Sequence, residues 1–235
     1  MLEIRKSDDR GQANHGWLNS QHSFSFAHYY DPKHMGFGPL RVINEDKVRG
    51  GQGFGTHGHR DMEIISYVLD GALEHLDSMK NTSVLRYGDV QRMSAGSGVQ
   101  HSEYNHSKTE EMHFLQIWIE PNVQGISPGY EEKHFDPASK SNQLRLIASA
   151  DGKDGSVLIH QDVSIYAAIL DGSTQLEYAL AAGRAAYVQV IRGEVDVNGV
   201  LLAGGDALKI QNENSITLDK ANGTELLLFD LPYGA

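Results

Sequence analysis

The sequence has no cysteine in its 235 residues, which excludes disulfides, thiolate metal sites and a nucleophilic thiol together. Any transition-metal site must then be built from histidine and carboxylate. A run of about 18 apolar residues is also missing, and the opening segment MLEIRKSDDRGQANHGW carries no apolar stretch of the kind a signal peptide needs. The expectation is a cytoplasmic protein with no membrane partner. Basic charge is scarce: 20 Lys and Arg stand against 31 Asp and Glu, for a formal charge of -11. The basic residues around Arg5 and Lys6 are followed closely by acids, so no patch forms that would attract a phosphate backbone, and no direct nucleic-acid partner is expected.

Helical periodicity is largely lacking as well. In its place are short runs of β-branched and aromatic residues separated by Gly, Asp and Asn, such as LRVIN, EIISYVLDG, FLQIWIEP and ELLLFDLP. This texture predicts an all-β protein of sandwich or barrel type. Two segments read as weak copies of one unit. SYVLDGALEHLDS leading to RYGDVQRMSAG and VQVIRGEVDVNGVLLAGGDALKI each place a turn glycine, Gly71 or Gly193, before a Gly-Asp dipeptide, Gly88-Asp89 or Gly205-Asp206. An internal duplication accounts for both. The polar stretch 129–141, flanked by Pro128 and containing Pro137, marks the boundary between the copies.

Histidine is concentrated before that boundary. Eleven of the twelve precede residue 135, and His160 alone follows. In GTHGHRDME, His57 and His59 are two apart, so on a strand both imidazoles leave one face and can reach one ion. His101 and Glu103 in GVQHSEYN repeat the spacing. Three imidazoles and a carboxylate suit iron, manganese, nickel, copper or zinc. The same parity admits Glu63, which continues the series 57, 59, 61 and 63, so spacing alone does not choose between Glu63 and Glu103. Asp61 and Asn105 are candidates to support the ligands or to cap turns. His160 is expected to be structural.

The pattern G-x5-H-x-H-x3-E from Gly51 to Glu63, followed by the run from Gly88 to Asn105, resembles the two motifs of the cupin superfamily. With RGQANHGWLNSQHSFSFAHYYDPKHMGFGPLRVINED, GFGTHGHRDMEI and MSAGSGVQHSEYN, the sequence is similar to the pirin family of bicupins. Seven residues separate Glu63 from Gly71 where six are usual in cupins, and Ser94 stands where proline is common. The resemblance implies two tandem cupin barrels, a metal-binding one over residues 1–134 and one over residues 135–235 that lacks metal ligands, since AAGRAAYV (181–188) holds neither histidine nor carboxylate. It selects Glu103 over Glu63 as fourth ligand, with Glu103 also the catalytic base, and implies Fe(II), with other divalent metals taken up by recombinant protein. It further implies quercetin 2,3-dioxygenase activity on a small aromatic substrate with O2, by a monomer. The resemblance also admits an iron-dependent regulator that acts without catalysis by binding a protein partner. Among the aromatics Trp17, Phe24, Phe26, Tyr29, Tyr30 and Phe37, most are expected to fill the core. Phe54 would suit a substrate pocket, but strand parity places it opposite His57 unless the surrounding glycines shift the register.

Overall fold

The computed structural model describes residues 1–233. Among these residues the regular structure is strand, apart from three single 3-10 turns at Ser7–Asp9, Pro137–Lys140 and Lys153–Gly155. The all-β expectation therefore holds, and among the described residues no helix is long and apolar enough to cross a membrane.

The chain forms two compact units. One comprises Gly11–His134 and Val157–Gln161; the other comprises Met1–Arg10, Phe135–Ser156 and the chain from Asp162 onward. A division between residues 134 and 135 is thus crossed twice. Leu2–Arg5 pairs antiparallel with Ala207–Gln211 in the later unit. In the earlier unit, Leu158 N–H donates to Glu131 Oε2 at 2.8 Å and Asn122 N–H donates to the His160 carbonyl at 2.8 Å. Such exchanges leave no local trace in a sequence, because the pairing partners lie far apart along the chain.

The earlier unit contains two sheets. One has four strands in the order Gly53–His59, Val99–Asn105, Ala72–Asp77 and Thr82–Arg86. The other has seven, in the order Gly129–His134, Asp89–Ser94, Glu63–Asp70, Met112–Ile119, Leu40–Val48, Leu18–His22 and Gly11–Asn14. Alternation along these strands sends Val48, Val68, Leu73, Leu85, Met112 and Phe114 into one apolar cluster. In the later unit, the long strands Arg184–Val197 and Ser215–Pro232 pair with each other and with Ala207–Gln211 and Ser164–Leu170. Their inward residues, including Val188, Leu208, Leu226 and Leu228, make a second apolar core.

The repeated turns have repeated physics. Gly71 and Gly193 both adopt left-handed backbone, at φ 72 and φ 76. A β-carbon on Gly71 would lie 2.9 Å from the Glu111 carbonyl oxygen, and one on Gly193 would lie 2.3 Å from that of Gly223. Only glycine satisfies both demands. At each Gly-Asp turn, the aspartate accepts a hydrogen bond from the backbone N–H three residues earlier: Arg86 to Asp89 at 2.7 Å, and Ala203 to Asp206 at 3.1 Å.

Candidate metal centre

His57 and His59 leave one strand of the four-stranded sheet, and His101 leaves its neighbour. His101 pairs directly with His57 in register, so the two-residue spacing brings the three imidazoles to one face. One nitrogen from each ring lies within 4.8 Å of the others. His57 Nδ1 is 2.8 Å from the Gly55 carbonyl, to which it donates; this fixes the tautomer and leaves the Nε2 lone pair free. That atom faces His101 Nε2 at 3.1 Å. Two imidazoles at about 2.0–2.1 Å from one ion would stand about 3 Å apart, so the donor set and its spacing fit a divalent transition metal. Burial holds both other rings neutral: it lowers His101 to about 2 and His59 to about 4, with the neighbouring His57 adding to each. A neutral ring is the form that ligates.

Glu103 lies on the same face as His101 and is 1% exposed. Its oxygens accept from Ser66 Oγ at 3.1 Å and Gln116 Nε2 at 2.7 Å. Burial raises its carboxyl to about 7, against these two bonds. Its carboxylate groups with His101 and His75 within 4.8 Å, a donor set distinct from the three histidines above but sharing His101. Glu63 belongs to neither set. Asp61, at φ 46, ends the strand that carries the histidines, so the series 57, 59, 61, 63 does not continue on one face. Glu63 instead enters the seven-stranded sheet, where Ser94 Oγ donates to it at 2.9 Å and His160 Nδ1 lies at 3.3 Å. Asp61 and Asn105 hold turns: Asp61 accepts from Gly125 N–H at 2.7 Å, while Asn105 donates to the Val48 and Glu110 carbonyls.

A cavity of about 300 Å³ opens beside the histidines. Trp17, Leu18, Phe26, Phe54 and Trp118 form its apolar wall. Trp17 meets Phe54 edge to face at 5.4 Å, and Trp118 meets Phe26 at 5.4 Å and His59 at 5.0 Å in the same manner. Phe24 and Phe37 are core residues and Tyr30 is exposed. Phe54 faces the cavity because the strand is bulged. Along its partner, His101 to Glu103 is two residues, whereas the facing pair, His57 and Phe54, are three apart. The extra residue shifts the parity between them, as the glycines allow.

Beneath Glu103, a row of polar residues crosses the seven-stranded sheet. His22, Asn44, Gln116, Ser66 and Gln91 stand opposite one another on successive strands. Their hydrogen bonds include His22 Nδ1 with Asn44 Oδ1 at 2.7 Å and Gln91 Nε2 donating to Ser66 Oγ at 3.5 Å. A buried polar row is tolerable only when paired in this way. The sequence reading passed over His75, which is fully buried beside Glu103 in register and stacks on Tyr130 at 4.9 Å. Its inward position in ALEHLD was the available signal.

Residues 3–119 match the family model Pirin, and residues 146–231 match that of the Quercetinase C-terminal cupin domain. A quercetin 2,3-dioxygenase of Escherichia coli K12 is 49% identical over 232 residues, covering 99% of each chain. A pirin-like protein of Caulobacter vibrioides is 42% identical over 231 residues, covering 98% of this chain and 99% of its own. Among solved structures, the bacterial pirin YhhW of Escherichia coli in complex with nickel(II) matches with a TM-score of 0.95 and 48% identity over 100% of both chains.

Proposed function

The chain belongs to the pirin family of bicupins, and on that premise we propose that it is a metal-dependent dioxygenase that opens the heterocycle of a flavonol such as quercetin. We assign one divalent transition metal to His57, His59, His101 and Glu103. The observation that carries the reading is the meeting of three imidazoles with a cavity walled by two edge-to-face aromatic pairs. A planar polyphenol suits such walls, and its enolic hydroxyl suits such an ion. The relatives named quercetin 2,3-dioxygenase support the same substrate class.

The protein's own groups do the following. His57, fixed through Gly55, would present Nε2 to the ion, and His59 packs its ring on Trp118. When bound, the ion supplies Lewis acidity that lowers the pKa of a substrate hydroxyl. Glu103 is placed to take the hydroxyl proton on a carboxylate oxygen. Ser66 and Gln116 keep the carboxylate oriented while it does so. The apolar wall keeps water from the reacting ring. Both oxygen atoms of O2 enter the opened product and carbon monoxide leaves. Fe(II) is the metal the pirin resemblance favours; copper and zinc compete for any such site by intrinsic affinity.

The test is anaerobic reconstitution with Fe(II), followed by quercetin and oxygen, with oxygen uptake and carbon monoxide measured together. Metal-dependent turnover is expected. A fully loaded protein with no turnover would reject the dioxygenase reading.

A further inference from the structure

The cavity has a polar side that the proposed reaction does not use. Along Leu40–Val48 the inward residues include Asn44 and Asp46, and both line the cavity. Asn44 is paired with His22. Asp46 is 4% exposed and bonded to the Ser20 side chain, yet its Oδ1 has no hydrogen-bond partner. It belongs to neither group of metal-ligating donors.

A buried carboxyl oxygen left unpaired is uncommon and costly, so its place calls for a physical reason. Other polar groups on the same wall are engaged: Glu103 by Ser66 and Gln116, and Asn44 by His22. The terminal torsion of an aspartate is broad, and a modest turn of the carboxyl presents the unpaired oxygen to the cavity. The apolar wall holds any planar ring of suitable size and tells one hydroxylation pattern from another only weakly. A single unpaired carboxyl supplies that distinction.

We propose that Asp46 is a specificity-determining residue, accepting a hydrogen bond from a hydroxyl of the aromatic substrate other than the one that meets the ion. This rests on the flavonol reading of the cavity. An analogue lacking that hydroxyl leaves the carboxyl unpaired and is bound about 10- to 100-fold more weakly than the full substrate.

The experiment is equilibrium binding to the nickel-loaded protein without oxygen, read by quenching of Trp17 and Trp118, which line the cavity. The probes are quercetin and a set of analogues, each lacking one hydroxyl other than that at C3. Wild type is expected to bind one analogue about 10- to 100-fold more weakly than quercetin. Asp46→Ala brings the two within about threefold of each other, with metal content at the wild-type level. Asp46→Asn, which keeps an acceptor oxygen and the side-chain shape, restores most of the discrimination. Should Asp46→Ala not fold, Asp46→Leu carries the same comparison. Equal binding of all analogues by wild type, or discrimination that survives Asp46→Ala or Asp46→Leu, overturns the assignment, as does failure of every flavonol to bind. Selective binding without turnover in the oxygen assay rejects the dioxygenase reading and leaves Asp46 in place; turnover with unselective binding does the reverse.

Discussion

The turns at Gly88–Asp89 and Gly205–Asp206 use the same aspartate-to-backbone bond, yet the strands they lead into carry opposite chemistry. After the first, Gln91 joins a polar row that runs through Ser66 and Gln116 to Asn44 and His22. After the second, Leu208 stands opposite Val188, which stands opposite Leu228 on its other side. Both interiors are buried and built from paired strands. The strands after the second turn feed an apolar cluster, which contributes in proportion to surface removed from water. The earlier interior gives up part of that contribution for a face of imidazoles, amides and carboxyls, several of them hydrogen-bonded to one another. Among the described residues, both clusters of metal-ligating side chains lie in the earlier unit. A duplicated turn framework thus leaves the interior free to specialise.

Four measurements would break or sharpen this contrast. The largest effect is expected from Leu228→Ala, fully buried in the later unit: a loss of about 2–5 kcal/mol of stability in denaturant titration, with nickel affinity unchanged once folded. A comparable loss of metal affinity would mean that the two interiors are not energetically separate. Next is His101→Ala, which should weaken nickel binding by about 100-fold or more, since a ligand counts for at least as much as the groups that orient it. Its far-UV circular dichroism should remain that of a β protein; collapse of the fold would recast the ion as structural.

Smaller is the pH dependence. Glu103 titrates near 7 and must lose its proton to ligate, whereas His59 and His101 are already neutral there. Nickel affinity should therefore fall as pH drops below 7, by up to about tenfold per unit for one competing proton. A steeper fall should set in near pH 4, where His59 begins to charge. Glu103→Gln should flatten the upper segment, and an unchanged slope would remove Glu103 from the ligand set. The smallest effect is expected from Glu63→Ala: metal affinity within about threefold of wild type, because its carboxylate already serves Ser94 and His160. A greater loss of metal from Glu63→Ala than from Glu103→Ala would reverse the assignment.

Much of this was legible in the sequence. Strand texture gave the all-β architecture, the paired Gly-Asp turns gave the repeat, and two-residue spacing found His57, His59 and His101. What was hidden depends on tertiary pairing. Glu63 seemed to continue the histidine face until the left-handed Asp61 ended the strand. His75 joins Glu103 only through cross-strand register. Asp46 could have been found, since alternation places it inward beside Asn44, but an inward carboxylate has no meaning until the opposing wall is known. The exchange of Met1–Arg10 and Val157–Gln161 between units depends on contacts that no local pattern encodes.

The extra residue between Phe54 and His57 has a consequence for how this strand could be altered. A regular strand offers its two sides only to even and odd neighbours, so an aromatic ring three positions from a ligand would ordinarily be lost to the chamber. The bulge makes that odd separation usable, and it ties two requirements, grip on an ion and grip on a ring, to a single backbone irregularity. Flattening the bulge at the present chain length would restore the regular alternation and turn either the ring or the imidazole away. The bulge in the GQGFGTHGH segment is therefore as binding a constraint as the identity of its histidines.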